Sequence, residues 1–286
     1  MSLDPHAVLG YTFDPIEQTI DDRDAILYAL SIGLADDPVD PYELRYAYED
    51  DLQVFPTMPV VLGYPGNWMS APSLRITRNM IVHGSQRLSC FEPLPISEPI
   101  VCENSVHSLA DKGVEKGAIM TLRRRIRMKS TGRLLAEGES AIFCRADGGF
   151  GPGFEEPVRP FEPVPTRAPD RSIVGRSSSN AALLYRLNGD RNPIHADPVS
   201  AARAGFKRPI LHGLCTFGIA ATVIDRALAR PSSRRISMIE TRFSNIVYPG
   251  ESLSFDLWLD GDTVSFRARA PDRGSIVLDY GRAELT

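Results

Sequence analysis

LHGLCTFGIAATVIDRALA, residues 211–229, is the segment that decides the fold. It is apolar around most of a helix circumference, which is typical of a buried helix rather than a surface one. Four strand-like runs follow it, separated by turns that read PGE, DGD and PDRG. A long buried helix followed by an antiparallel meander predicts an α+β fold in which a sheet curls around one helix.

The first half of the chain repeats this order with differences. Its helix-like residues 21–38 are similar to residues 180–198 of the second half, and strand-like runs again follow, within residues 100–144. Residues 80–84 (MIVHG) match residues 209–213 (PILHG), but they lead directly into SQRLSCFEPLP. We predict a duplication whose first copy has a reduced or lost central helix and so leaves room for an acyl chain.

A segment rich in Gly and Pro, residues 147–170, divides the chain. Its composition is typical of a linker or a surface loop. We therefore predict an N-terminal domain over residues 1–146 and a C-terminal domain over residues 171–286. Both lengths fall within the usual range for single domains.

Composition excludes several classes of protein. The net charge of −4 gives no basic surface suited to nucleic acid, and no window is apolar enough to span a membrane. The first residues do not resemble a secretory signal, and the last do not resemble a peroxisomal address. The 4 cysteines are far apart and form no C-x-x-C pair, which predicts reduced, buried thiols in a cytoplasmic protein.

The loop NGDRNPIHADP carries the candidate chemistry. Asp190, Asn192 and His195 lie within six residues, shortly before Gly213 opens the buried helix. A carboxylate and an imidazole are proton-transfer groups, and a backbone N–H at a helix start can stabilise developing negative charge. Taken alone, Asp190 is better explained as a turn residue, because Asn, Gly, Asp and Pro all favour turns. The combination predicts an acid/base site beside an oxyanion donor.

The same residues carry a family resemblance. YRLNGDRNPIHADP and AGFKRPILHGLCTFG resemble the hydratase-2 signature of MaoC-like (R)-specific enoyl-CoA hydratases, while VHGSQRLSCFEPLP, SLADKG and GGFG resemble the N-terminal half of the same two-domain enzymes. The resemblance implies a double hot-dog fold, with an antiparallel sheet around a helix in each half. It also implies a homodimer that reversibly hydrates trans-2-enoyl-CoA to (R)-3-hydroxyacyl-CoA in fatty-acyl or sterol side-chain metabolism, without metal or organic cofactor.

The resemblance assigns roles within the acid/base loop. Asp190 and His195 are implied as the acid/base pair that handles one water, with Asn192 as a third polar group that holds the water or the loop. The Gly213 N–H is implied as the oxyanion donor. Which of Asp190 and His195 acts as the base stays open, since the two can titrate as one unit.

The substrate contacts are assigned less directly. The resemblance places His83, Gly84, Lys112 and Phe243 along the path of CoA and the acyl group. Charge alone adds two exposed candidates for phosphate contacts, Lys207 and Arg208. Against these roles, Lys112 is also typical of a solvated turn, and a strand phenylalanine such as Phe243 more often belongs to the core.

Three further segments were interpreted structurally. His212 is predicted to anchor the loop before the buried helix. The basic run at residues 123–127 is interpreted as a solvated sheet edge. Residues 149–151 (GFG) are followed by PGFEE where the family often has basic residues, so no CoA contact is predicted there. His6 and His107 have no partners at ligand spacing, and we predict no metal site.

Two other functions fit the sequence. One is a dehydratase of the same fold that acts on a hydroxyacyl-CoA or an acyl-carrier-protein thioester. The other is a protein that binds acyl thioesters without catalysis, which the presence of the whole acid/base set disfavours.

Overall fold

The computed structural model describes residues 3–229 and 234–286. The strands are β1 (Ile16–Thr19), β2 (Ile81–Cys90), β3 (Pro99–Asp111), β4 (Ala118–Met128), β5 (Leu134–Cys144), β6 (Arg171–Arg176), β7 (Ile236–Phe243), β8 (Ser252–Asp260), β9 (Thr263–Ala270) and β10 (Ser275–Leu285). The α-helices are α1 (Pro5–Leu9), α2 (Asp22–Ser31), α3 (Pro41–Leu44), α4 (Ala181–Tyr185), α5 (Pro198–Arg203) and α6 (Gly213–Ile224).

All ten strands form one sheet in the order β1-β3-β4-β5-β2-β7-β10-β9-β8-β6, and every neighbouring pair is antiparallel. Read from the outer edge inward, β1-β3-β4-β5-β2 of the first half has the same connectivity as β6-β8-β9-β10-β7 of the second. The halves join where β2 pairs with β7. The α+β class is therefore confirmed, and the repeated strand order supports the predicted duplication.

Helix α6 occupies the centre of the second half. Every residue from Cys215 to Ile224 is buried, as its uniformly apolar sequence requires. In the described residues, the first half has no counterpart of this length. Between β1 and β2 it has α2, α3 and short 3₁₀ turns, and the longest of these, α2, is 10 residues. The sheet of the first half consequently lacks the apolar helix that would fill its concave face.

The matched HG dipeptides occupy different elements, so that part of the predicted repeat is wrong. His83 and Gly84 lie inside β2, whereas Gly213 begins α6. In strand order, the counterpart of β2 is β7. Sequence similarity over five residues did not distinguish the start of a helix from the interior of a strand, because both begin with an apolar run.

The basic run is not a sheet edge, which corrects the earlier interpretation. It lies in β4, between β3 and β5. Arg123 pairs with Glu139 at 2.8 Å, and Arg125 pairs with Glu137 at 2.6 Å. Rows of opposite charge across neighbouring strands are compatible with a central strand, because Arg123 and Arg125 each find a glutamate on the same face.

The segment between the halves packs over their junction. Arg159 pairs at 2.8 Å with Glu240 of β7, which is 1% exposed and also pairs with Arg87 of β2. Trp258 donates its indole N–H to the carbonyl of Arg167 at 2.8 Å. Residues 147–170 thus have little regular secondary structure, but the contacts of Arg159 and Arg167 attach this segment to the strands.

Gly218 allows α6 to approach the first half closely. A Cβ built on Gly218 would lie 2.5 Å from Cγ2 and 3.1 Å from Cβ of Ile32. We expect Gly218→Val to lower the free energy of unfolding by about 3 kcal/mol, because overpacking forces these buried groups apart. Urea denaturation measures this. The double variant Gly218→Val/Ile32→Ala should lose less than the sum of the two single variants, and strict additivity would contradict the contact.

Candidate active site

The acid/base loop begins where α4 ends. A 3₁₀ turn, Arg186–Asn188, leads to Gly189, whose φ of 124° is a conformation that glycine adopts without strain. Asp190 then accepts a hydrogen bond from the Asn192 N–H at 3.0 Å, and Asn192 accepts one from Ile194 N–H at 3.3 Å. These local side-chain turns fix the loop, so the structure places Asn192 where it shapes the backbone.

His195 is held in one tautomer by its neighbours. The ring is 8% exposed, and Nδ1 lies 2.8 Å from the carbonyl of Ile210. A carbonyl can only accept, so Nδ1 carries the proton and Nε2 keeps its lone pair while the ring is neutral. Burial lowers the pKa of His195, while the Ile210 carbonyl and Asp190 act in the opposite direction. His195 is therefore a proton acceptor near neutral pH.

Asp190 and His195 face each other across a gap. Nε2 of His195 lies 4.0 Å from Oδ2 of Asp190, too far for a direct hydrogen bond and suited to one bridging water. The carboxylate of Asp190 is 54% exposed, whereas His195 is buried. The carboxylate of the pair is therefore open to solvent, while the imidazole is enclosed.

His212 supports both members of the pair. Its Nε2 donates to the main-chain carbonyl of Asp190 at 3.1 Å, and its ring stacks on His195 at 3.7 Å with 25° between the planes. Burial, together with the neighbouring His195, lowers the pKa of His212 to about 4. The predicted anchoring role of His212 matches this geometry, and the stack with His195 extends it.

Gly213 offers a free backbone donor beside the pair. It is the first residue of α6, and among the described residues its N–H has no acceptor. A Cβ on Gly213 would lie 3.4 Å from the ring of Phe243, which itself packs edge-on against His83 with ring centroids 4.9 Å apart. Gly213, Phe243 and His83 are thus brought together, although they come from α6, β7 and β2.

The other predicted substrate contacts lie elsewhere. The space over Gly84 is filled by the Phe143 ring, 1.9 Å from a built Cβ, so Gly84 is a packing residue. Lys112 is exposed in the β3–β4 turn, which Asp111 ties to Gly149 and Gly151 through hydrogen bonds of 2.8 and 2.6 Å.

Lys207 and Arg208 are exposed in the connection between α5 and α6. Arg208 stacks on the ring of Tyr248 at 4.9 Å. Both side chains therefore lie at the surface on the approach to the α6 N-terminus. Their phosphate-binding role, like that of Lys112, stays a prediction.

Sequence reasoning did not select Tyr64 or Arg124 as site residues. Partial burial and, to a smaller extent, the charge of Asp190 raise the pKa of Tyr64, whereas the charge of Arg124 lowers it. Both come from the first half. Arg124 belongs to the basic run at residues 123–127. Alternate residues of a strand face the same side, so the apolar Leu122 and Ile126 indicate that Arg124 faces inward.

Buried neutral histidines make stability dependent on pH. Burial lowers the pKa of both His83 and His212 to about 4, against about 6.5 in an unfolded chain. As the pH falls from 6.5 toward 4, the unfolded state takes up protons that the folded state does not. We expect each histidine to remove about 2 kcal/mol of stability over that interval.

Urea denaturation at several pH values measures this dependence. His83→Gln and His212→Gln should each flatten the slope, whereas His6→Gln, at an exposed position, should leave it unchanged. If neither His83→Gln nor His212→Gln changed the slope of stability against pH, the lowered pKa of these two histidines would be contradicted.

The site also offers donors for a metal ion. One ligand atom each from Asp190, His195 and His212 lies within 4.8 Å of the others. Imidazole nitrogen and carboxylate oxygen are ordinary ligands for zinc. Recruiting His212 through Nε2 would break its hydrogen bond to Asp190, so these three side chains are better arranged for proton transfer than for metal ligation.

In the described residues, no helix is long and apolar enough to cross a membrane.

Comparisons with known proteins agree with this architecture. Residues 154–279 match the model of the MaoC like domain, and residues 19–146 match that of the MFE-2 hydratase 2 N-terminal domain. A crystal structure of a MaoC-like dehydratase from Phytophthora capsici superposes with a TM-score of 0.86 at 28% identity, covering 99% of this chain and 98% of that one. The fold and these matches thus define a double hot-dog protein of the MaoC-like class.

Curated relatives identify the family. Enoyl-CoA hydratase 2, peroxisomal, from Arabidopsis thaliana is 33% identical, over 95% of this chain and 92% of that protein. 3-hydroxyacyl-thioester dehydratase Y from Mycobacterium tuberculosis is 36% identical, over 99% of each. Peroxisomal multifunctional enzyme type 2 from Mus musculus is 31% identical over 97% of this chain, which spans 38% of that protein. The chain belongs to the MaoC-like dehydratase family, in its two-domain hydratase 2 form.

Proposed function

We propose that this protein catalyses the reversible hydration of trans-2-enoyl-CoA to (R)-3-hydroxyacyl-CoA. The observation that carries the proposal is the arrangement of Asp190 and His195, 4.0 Å apart, beside the N–H of Gly213, which has no acceptor in the described part of the chain. These are the groups that hydration of an unsaturated thioester needs: two for proton transfer and one for the thioester oxygen. The hydratase and dehydratase names of the relatives support the same reaction class.

The reaction follows from the positions of these groups. A water bound between Asp190 and His195 adds its oxygen to C3 as the pair accepts a proton from it. Electron density moves to the thioester oxygen, which the Gly213 N–H stabilises with the help of the α6 dipole. A proton delivered from the pair to C2 completes the addition. Water and substrate are the only reactants, and no metal or organic cofactor enters this scheme.

The first half is proposed to hold the acyl group. Within its described residues, 3–146, it lacks a counterpart of α6, and a groove of about 210 Å³ lies beside Gly189. The groove has a mixed lining, with Met58, Val61, Leu62 and Leu187 beside the polar Gln18, Asp24 and Asn188. Its apolar part fits an acyl chain. The N-terminal domain then binds substrate, while the C-terminal domain supplies the acid/base loop.

Incubation of the purified protein with a ladder of trans-2-enoyl-CoAs tests these proposals, with chiral analysis of the products. (R)-3-hydroxyacyl-CoA should form, at an unchanged rate after treatment with a chelator. A sharp optimum at the shortest acyl chain would contradict the proposal that the first half holds the acyl group. Turnover restricted to carrier-protein thioesters would favour the dehydratase alternative, and acyl-CoA binding without water addition would favour a binding protein.

We also propose a cytoplasmic homodimer. All four cysteines are free and buried, which is typical of a reducing compartment. The dimer follows from the family resemblance. Light scattering during size-exclusion chromatography measures the oligomeric state directly, and a monomer would contradict the proposal.

A further inference from the structure

The inner face of the first-half sheet carries an arginine, Arg124, that has no carboxylate partner among the residues the structure describes. Arg124 pairs in register with Asn104 on β3 and Gly138 on β5, and Gly138 pairs in turn with Leu88 on β2. Leu88 is 1% exposed. Residues paired across a sheet share a face, so Arg124 projects from the buried side.

Its neighbours on β4 behave differently. Arg123, Arg125 and Arg127 lie on the opposite face, and they pair with Glu139, Glu137 and Glu103 respectively. Arg124 forms no ion pair with any residue of the described ranges, 3–229 and 234–286. Burial lowers the pKa of its guanidinium group, as expected for a cation withdrawn from water without a counter-charge.

The guanidinium group is held in place by neutral groups. Nε donates to Oδ1 of Asn104 at 2.9 Å, and Nη1 donates to the carbonyl of Val60 at 3.2 Å. Asn104 in turn donates to the carbonyl of Gly63 at 3.0 Å. Nη2 has no acceptor among the described residues. The group is thus oriented in advance and retains free donors.

Arg124 also marks a gap in the core. Along β4, Ile126 and Met128 belong to the main apolar cluster, whereas Met120 belongs to a second, separate cluster. Arg124 lies between them, beside Gly138, which contributes no side chain. Arg124 is thus a charged position between two apolar clusters.

This cation lies on the acyl side of the site. The charges of Asp190 and Arg124 both act on the pKa values of Tyr64 and His83. Arg124 also bonds to the carbonyl of Val60. The next two residues, Val61 and Leu62, line the groove beside Gly189. Burial lowers the pKa of His83 to about 4, so His83 adds no positive charge at neutral pH. A negative group entering here meets the guanidinium group of Arg124, and the charge of Arg78 also acts on Tyr64.

From this geometry we infer that Arg124 binds a carboxylate carried by the acyl group, so that the preferred substrates are enoyl-CoA thioesters with an acidic tail. The inference rests on the proposed hydratase function and narrows its substrate class. A guanidinium group with free donors matches a carboxylate well, and burial strengthens the pair. The phosphates of CoA are better served by the exposed Lys112, Lys207 and Arg208.

Paired substrates test the inference. Neutral trans-2-enoyl-CoAs and the same chains ending in a carboxylate are compared by kcat/KM, in wild type, Arg124→Gln and Arg124→Lys. Wild type should prefer the acidic substrate at one chain length by about 10-fold or more. Arg124→Gln should lower kcat/KM for it about 10- to 100-fold and leave the neutral substrates within about 3-fold. Arg124→Lys should fall between the two. Arg125→Gln, on the opposite face of β4, is the matched control.

Three results would overturn the inference. Equal losses on acidic and neutral substrates would make Arg124 purely structural. A loss seen with CoA thioesters but absent with 3′-dephospho-CoA thioesters would make its partner a CoA phosphate. If wild type showed no preference for acidic substrates at any chain length, the inference would fail whether or not the variants fold. Circular dichroism checks the folding of the variants. Wild-type turnover of the neutral series reports separately on the hydratase function.

Discussion

Asp190→Asn is expected to lower kcat for enoyl-CoA hydration about 10³- to 10⁴-fold, because it removes one of the two groups that move protons to and from the same water. The fold should be retained. The side chain is 54% exposed, and the amide oxygen of asparagine can still accept the hydrogen bond from the Asn192 N–H. Steady-state kinetics together with thermal denaturation measures both expectations.

A neighbouring aspartate provides the control. Asp197 lies in the same loop and caps α5 by accepting hydrogen bonds from the N–H groups of Val199 and Ser200. Asparagine caps helices about as well as aspartate, so Asp197→Asn should keep near-wild-type activity. If Asp190→Asn also kept more than about a tenth of the activity, Asp190 would not belong to the acid/base pair.

His195→Gln is expected to lower kcat by a similar factor. Glutamine can still donate to the Ile210 carbonyl, but it removes the lone pair on Nε2 and the stack on His212. Because both groups act on one water, the double variant Asp190→Asn/His195→Gln should be little slower than either single variant. Multiplicative losses would show that the two residues act independently.

The pH dependence gives a second measure of His195. Burial lowers its pKa, so the ring stays neutral at a lower pH than a free imidazole, whose pKa is about 6.5. The acid limb of kcat/KM should therefore lie below pH 6.5, and His195→Gln should remove the contribution of the imidazole to it. The exposed His6, substituted as His6→Gln, should leave the profile unchanged.

Much of the second half could be predicted from its sequence. The uniformly apolar segment at residues 211–229 predicted a buried helix, and α6 with the turn Asp225–Ala229 occupies the same residues. The run at residues 263–270 is β9, and the run at residues 275–285 is β10. These predictions held because alternation, apolar continuity and turn residues are all local properties.

The first half was predictable only in part. Its long strands were found, but β1 was missed because four residues at a sheet edge leave little periodicity. The basic run was read as a solvated edge, whereas Arg123 and Arg125 pair with glutamates from β5. Such pairing cannot be seen from one strand, because it depends on which strand lies alongside.

The sequence by itself determined the α+β class, the apolar helix and the loop that brings Asp190 and His195 within six residues of each other. These follow from local residue patterns. Only the tertiary structure decided that His212 stacks under His195, that Phe243 and His83 meet beside Gly213, and that Arg124 faces inward and bonds to Asn104 and Val60. The reason is physical: these contacts join residues from separate strands and helices, and the register between β2 and β7 fixes which side chains meet.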